Sequence, residues 1–428
     1  MTDRRRAALS AAVLIAWALF LAVVWVLGQY KEANTEEHLA LGAMPLFGRW
    51  EWHLGPQLLV PALTGALVIA FLPAIAARWR WRWTALATAA AAVALSLALA
   101  YAHSHPGTWE DLHHHYAQNA RYIDDAGGLA PFLESYTDVQ LAGEFPVHLQ
   151  SHPPGLVVFF WAASQIGLSG LLFENAVIML AVAASVLAAL AIGRDVAGER
   201  LARRAAPFLV VAPAAFWHTN ADIIFGGVAL SAVACLVLAT NRTGARAAWL
   251  TAAGGLLAGA ALMLSFSSAL FAIPVVVIAV WRRRWRVLLA GGALAALVVL
   301  APLLWGYWWL DGLTTTRVRY YAGVASARGY WYFLIANPAV FALALGPATA
   351  VALARLRDRR MWIVVGSILA AVAVADVSGM SSSETERIWQ PFMPLALLAG
   401  CALPRPRPWL VLQLAVALAL AAALRVQW

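Results

Sequence analysis

Lysine is almost missing from this chain of 428 residues: there is one, against twenty-nine arginines. Charge of either sign is scarce, at 12% of residues, while 63% are hydrophobic and the mean hydropathy is +0.74. Those proportions exclude a soluble globular domain and a disordered chain alike. Cysteine is limited to Cys235 and Cys401, both inside apolar runs. They read as small buried hydrophobes, which argues against a disulfide and against a thiolate metal site. No repeat of fixed period is visible.

What is abundant is apolar sequence in long stretches. Several exceed the roughly 18 residues that make a transmembrane helix the default reading. Candidate spans are 7–28, 57–77, 83–102, 171–193, 205–217, 221–240, 246–264, 268–281, 287–306, 331–353, 361–376, 388–403 and 407–425. The first, behind Arg4-Arg5-Arg6, is too long for a signal-peptide core and lacks a cleavage-site pattern, so it reads as a retained helix.

A net charge of +9 could point to nucleic acid, but the positions of the arginines decide against it. Seven clusters between the apolar runs (4–6, 78–82, 194–204, 242–246, 282–286, 355–360 and 405–407) hold 22 of the 30 Lys and Arg. Alternating sides through the thirteen segments, from a cytoplasmic N-terminus, puts every cluster inside, which is the positive-inside signature. The parity requires that 153–167 does not cross. That segment is shorter than the ~20 residues a crossing helix needs, and its opening Pro153-Pro154 suits a first helical turn. Segment 205–217, short and carrying Pro207 and Pro213, is the weakest crossing.

The expected fold is all-α, a polytopic membrane helix bundle of about thirteen transmembrane helices. Interfacial helices occupy one large extracytoplasmic loop. Residues 1–82 form an N-terminal hairpin and loop, 83–403 the main transmembrane module, and 404–428 a C-terminal helix.

Residues 103–155 hold seven of the ten histidines and seven of the twenty-one acidic residues, with a single Arg. Glu110 and Asp111 follow the third span. A carboxylate half shielded by apolar walls can act as a general base with a tuned pKa. Asp111 opens the stretch 112–123, where Tyr116, Ala120 and Ile123 fall at helical spacing, as in a helix lying in the interface. Asp124-Asp125 end it before Gly127-Gly128, a helix stop. Solvation of loop acids is the plain alternative for all four carboxylates. Each stays open as a base, with Asp111 placed first and Glu110 beside it.

The run His113-His114-His115 cannot converge on one ion, because consecutive helical positions point apart. Metal-like i, i+4 spacing does occur in Glu110/His114, Asp111/His115 and His148/His152. A divalent cation, Mg or Mn, is compatible with those pairs. Hydrogen bonding of His115, Tyr116, His148 and His152 to a phosphate or sugar is the reading favoured here, and no metal ligand is assigned. Three more groups fall on the same side. His218 and Asp222 flank a tight turn. Arg317, Arg319 and Arg328 lie among Tyr320, Tyr321, Tyr330 and Trp331, and suit an anionic head group. Glu384-Thr385-Glu386-Arg387 lead into 388–403, where Arg387, beside two acids, either snorkels or binds phosphate.

Taken in order, these pieces resemble the GT-C superfamily of polytopic glycosyltransferases. The similar elements begin with an acidic motif in a large outer loop followed by Tyr and Ala: Glu110-Asp111, Tyr116 and Ala120. A His-Pro-Pro element opens the last helix of that loop (His152-Pro153-Pro154). A Pro…Asp pair spans a short hairpin (Pro213, Asp222), and a late Glu-Arg-x-x-x-Pro element matches Glu386-Arg387 with Pro391. The chain departs from the family in placing the acidic loop after the third helix instead of the first, and in reading Glu-Asp in the acidic pair.

The resemblance implies a bacterial plasma-membrane enzyme with its site on the extracytoplasmic face. It would move a sugar from a polyprenyl-phosphate donor to a glycan, lipid or protein acceptor, with inversion. Asp111 or Glu110 would be the base, and Arg387 and Arg317 would stabilise the departing phosphate. His115, Tyr116, His148, His152, His218, Asp222, Arg319 and Glu386 would complete the substrate site, with no cofactor beyond the cation left open above. A secondary transporter or flippase is the other class that so many spans would suit. It calls for ionisable groups near the bilayer midplane, and the spans carry almost none.

Overall fold

A computed structural model of the protein describes residues 3–35, 38–103 and 115–426. These residues are helical almost throughout, and their only sheet is four two-residue strands. Among them nine helices are long and apolar enough to cross a membrane: Arg4–Asn34, Pro56–Arg78, Trp81–His103, Leu171–Ala197, Ala221–Ala239, Gly244–Leu264, Trp285–Trp305, Arg359–Val377 and Pro406–Ala423. The all-helical, polytopic membrane architecture is as expected.

The count of about thirteen is not reached, because four expected spans are divided by breaks in the helical hydrogen-bond ladder. Segment 205–217 is the helix Glu199–Val210 followed by a 3-10 turn, Pro213–Trp217, with Ala212 extended as a residue before proline tends to be. Segment 268–281 is a 3-10 turn, Phe266–Phe271, running into the ten-residue helix Ala272–Trp281. Segment 331–353 bends by 95° between Tyr330–Leu345 and Pro347–Arg355, and would make a tenth span if the pair counts as one. Gly346, at φ 81°, supplies the left-handed turn that stops the first helix just before Pro347. Segment 388–403 is a chain of short α and 3-10 turns carrying Pro391 and Pro394, and nearly all of it is buried. Gly155–Gln165 has eleven residues, about 16 Å of helix, which is too short to cross.

Ala221–Ala239 is the centre of the bundle, with nearly every residue buried. Its glycines let neighbouring backbones approach closely, the usual basis of helix packing in lipid. A Cβ added at Gly227 would lie 2.9 Å from Ala181 Cα, and one at Gly226 would lie 3.0 Å from Pro391 Cα. The 38–55 segment is joined to the other end of the described chain, since Arg49–Trp50 pairs antiparallel with Leu424–Arg425.

Several of the clustered arginines have specific partners. Asp195, 6% exposed, meets Arg282 at 2.6 Å and Arg242 at 3.4 Å. Arg203 meets Glu199 at 2.6 Å and donates to Ala76 O and Trp79 O. Arg194 meets the other oxygen of Glu199 at 2.8 Å. Gly227→Leu should destabilise the protein by about 1–3 kcal/mol or more through overpacking against Ala181. Thermal melting in detergent checks this, with Gly292→Ala, which meets nothing within 4 Å, expected to melt like the wild type.

Candidate functional site

The second half of the histidine-rich loop folds into five short helices: His115–Gln118, Arg121–Asp125, Leu129–Ala142, Val147–Ser151 and Gly155–Gln165. Leu129–Ala142 is their frame. Its buried Tyr136 hydroxyl lies 2.9 Å from Leu149 O and 3.0 Å from His152 O. Gln140 Nε2 donates to Gln150 O and Thr316 Oγ1, both at 2.8 Å. These bonds fix the end of Val147–Ser151, where the Pro-Pro step sets the next conformation. The residue before a proline is pushed out of the helical region, and His152 is accordingly extended at φ −134°, ψ 160°.

That turn carries the His152 ring to 5.1 Å from Phe225 and 6.0 Å from Tyr116, between ring centres. His148 packs on the other side of Tyr116 at 5.3 Å. Burial, helped by the nearby His148 and Arg387, lowers the His152 pKa to about 3, so its imidazole is neutral at pH 7. Its Nδ1 is buried with no hydrogen-bond partner among the described residues. Burial, and then the charge of Asp222, hold the Tyr116 phenol well above its ordinary pKa, so it keeps its proton as a donor.

Phe225 stands one turn above Asp222 on the Ala221–Ala239 helix. Asn220 caps that helix by accepting from Asp222 N at 2.8 Å, and an acid in the first turn is favoured by the helix dipole. The Asp222 carboxylate accepts from Arg387 Nη1 at 2.7 Å, and Arg387 Nε donates to Glu384 Oε2 at 3.0 Å. Burial opposes the charge of Arg387, but Asp222 and Glu384 outweigh it and raise its pKa above the ordinary value. Ser383 and Glu384 sit at φ 124° and 56°, left-handed backbone that non-glycine residues adopt only at a cost.

Glu386, although next to Arg387, faces away from it, as neighbouring helical positions do. It is fully buried, and its Oε1 accepts from Phe47 N at 3.1 Å. Burial pushes its pKa up to about 8, so at pH 7 it is mostly neutral. Ser383 Oγ, Glu386 Oε2, Trp389 Nε1 and both side-chain polar atoms of Gln390 are buried without hydrogen-bond partners among the described residues. Such a concentration of unsatisfied polar groups is uncommon in a structural core.

One cluster thus unites Tyr116, His148, His152, Asp222, Glu384 and Arg387. Other expected site residues lie elsewhere. His218 is buried against the Trp81–His103 helix, with Nδ1 2.7 Å from Ser96 Oγ, and burial lowers its pKa to about 4. Arg319 donates to Gln150 Oε1 at 3.1 Å and so braces the loop frame. Arg317 is exposed on Trp309–Ala322 and makes no hydrogen bond or ion pair among the described residues. Arg328 donates to Leu39 O and Ser382 O at 2.9 and 2.6 Å, next to the Glu384 turn. Asp124 accepts from Trp161 Nε1 at 2.8 Å, a structural tie. Glu110, Asp111, His113 and His114 lie outside the described residues, as does the side chain of His115. Among the described residues no three His, Cys, Asp or Glu side chains converge as a metal site.

Both acids beside Arg387 are visible in the sequence, but sequence reasoning assigns only Glu386 to the site. The i, i+3 spacing of Glu384 and Arg387 was the available signal. Phe225, three residues after Asp222 and against His152, was also missed.

The fold and the cluster define a polytopic membrane protein with a buried ionic site where a long loop meets the bundle. No family model matches the chain, and no curated protein matches it.

The state of Glu386 is testable through stability. Its folded pKa of about 8 lies above the 4.5 of a free carboxyl. The folded protein therefore keeps a proton that the unfolded chain releases, and stability falls as pH rises from about 4.5 to 8. Glu386→Gln should remove that loss, so its melting temperature relative to wild type should rise steadily across this window. Parallel melting curves from pH 5 to 8 would contradict the assignment.

Proposed function

We propose that the protein is a membrane glycosyltransferase, moving a sugar from a polyprenyl-phosphate donor to an extracytoplasmic acceptor with inversion at the anomeric carbon. The observation that carries this reading is the convergence at Arg387. Tyr116, His152, Asp222 and Arg387 come from four separated motifs of the GT-C resemblance, and they lie in one cluster, with Tyr116 and Asp222 buried and His152 and Arg387 partly so.

In the proposed step a loop carboxylate, Asp111 ahead of Glu110, takes the proton of the acceptor hydroxyl. The acceptor oxygen bonds to the anomeric carbon as the bond from that carbon to the phosphate oxygen breaks. The phosphate leaves with the electron pair, so atoms and charge balance. Tyr116 follows Asp111 by five residues in the sequence. Neutral His152 and the protonated Tyr116 suit hydrogen bonding to sugar hydroxyls or phosphate oxygens.

Arg387 is held by two carboxylates, and a phosphate meeting it would compete with them for its N–H donors. Glu384, on left-handed backbone, is the carboxylate such competition would displace first. The stabilisation of departing negative charge is then an electrostatic effect inside a partly dry site.

The transporter reading gains little support. Glu174 and Asp376 are buried in spans, but they stand in the first turn of Leu171–Ala197 and the last turn of Arg359–Val377. Neither is near a helix midpoint, where a transport site belongs.

Asp111→Asn should abolish sugar transfer from a polyprenyl-phosphate donor while expression and melting temperature stay at wild-type levels. Full transfer activity in that variant would remove Asp111 as the base. An EDTA titration of the same assay tests the loop cation. Activity that collapses and returns with Mg or Mn would establish a metal, and unchanged activity would leave the carboxylate acting alone.

A further inference from the structure

A second charged site lies at the other end of the molecule. The Asp3–Asn34 helix begins with the arginine run and ends near Glu32, which accepts from Leu39 N at 2.8 Å. Leu39 in turn is bonded by Arg328, which also bonds Ser382 beside the Glu384 turn. Arg6 is therefore separated from that end by 26 helical residues, roughly 39 Å at 1.5 Å each. Around Arg6 is a cavity of about 480 Å³ lined by Arg6, Arg204, Arg355, Arg357, Ala402 and Pro404.

The four arginines come from three parts of the chain: the start of the first helix, the Glu199–Val210 helix, and the end of Pro347–Arg355 with the residues after it. Positive-inside bias alone requires arginines near one surface, without asking them to share a concavity. Charge pairing separates these from four of the other clustered arginines. Arg194, Arg203, Arg242 and Arg282 all have carboxylate partners. Arg204, Arg355 and Arg357 make no ion pair among the described residues. Arg355 donates to Arg6 O at 2.7 Å and stacks over Trp409 at 5.7 Å, yet its Nε is buried without a partner. Arg357 bonds only backbone carbonyls, those of Ala354 and Leu356. The nearby acid, Asp358, is engaged in capping the Arg359–Val377 helix, where it accepts from Met361 N at 2.9 Å.

Like charges gathered round a cavity repel unless an anion lies between them. Guanidinium groups match phosphate oxygens in geometry as well as charge. Basic pockets between transmembrane helices are suited to anionic lipid head groups. We propose that this cavity binds a phosphate-bearing anion, independently of the chemistry at Arg387. Its ligand class is a phosphate monoester or diester, carried by a lipid head group or free in solution. Arg355 forms the floor, and Arg204 and Arg357 form the rim.

The test is thermal melting of the full-length protein in neutral detergent, titrated with short-chain phosphatidylglycerol, short-chain phosphatidylcholine or inorganic phosphate. Phosphatidylglycerol should raise the melting temperature of the wild type, and phosphatidylcholine should not. A matching rise with inorganic phosphate would assign a free anion, and a rise with phosphatidylglycerol alone would assign a lipid head group. Arg204→Gln/Arg357→Gln removes two exposed rim charges, of which Arg357 makes only two local bonds, at 3.3 Å, to the carbonyls of Ala354 and Leu356. It should weaken the response by about twenty-five-fold in ligand concentration, at roughly fivefold per arginine. Arg359→Gln/Arg360→Gln removes two charges that do not line the cavity and should respond like the wild type. The proposal fails if neither phosphatidylglycerol nor phosphate raises the melting temperature. It fails equally if phosphatidylcholine matches phosphatidylglycerol, or if the two double variants behave alike.

Discussion

The partly buried Arg387 guanidinium, held between Asp222 and Glu384, is the interaction on which the functional end of this molecule depends. A charge removed from water costs several kcal/mol unless its partners are close and well aligned. That cost explains much of the surrounding architecture. The Ala221–Ala239 helix presents Asp222 in its first turn, where the dipole favours an acid, and Asn220 caps the same turn. The chain at 383–384 accepts left-handed backbone to bring Glu384 round to Arg387. The histidine-rich loop packs against the network, with His152 kept neutral mainly by burial and further by the nearby His148 and Arg387.

The loop reaches that position through an ordered series of local causes. Proline at 153 makes His152 extended, Tyr136 ties the carbonyls of Leu149 and His152, and Gln140 with Arg319 braces Gln150. None of these residues need touch a substrate for the site to depend on them. A site supported in this way holds its polar groups in fixed positions before any ligand arrives, which is what electrostatic catalysis and selective binding both require. The two arginine-bearing regions differ in a corresponding way. Near Arg387 the cation is outnumbered by carboxylates, and around Arg355 the cations outnumber Asp358. One end is built to hold its charge internally, the other to meet charge from outside.

Most of the helical layout was legible in the sequence, including the spans around 57–77, 83–102, 171–193 and 221–240. Hydropathy over twenty residues is a local, additive quantity, so it can be read one window at a time. The errors came where breaks inside an apolar run decided the outcome. Gly346-Pro347 turns one expected span through 95°, and Pro391 and Pro394 dissolve another into short buried turns. Apolar composition identifies burial, but it does not distinguish lipid contact from the protein interior.

The residue types of the site, too, were visible in the sequence: Tyr116, His148, His152, Asp222 and Arg387 all stood out by type and spacing. What composition and order determined was a helical membrane protein that concentrates its ionisable groups in one loop and a few short turns. Which of those groups meet was decided only in three dimensions. Glu384 and Glu386 are two residues apart and chemically alike, yet one faces Arg387 and the other accepts from Phe47 N. The difference lies in the direction of a side chain from a tightly wound segment, fixed by packing against residues hundreds of positions away. The pairing of Arg387 with Asp222, 165 positions away, is a long-range property of the folded chain that no local window of sequence contains.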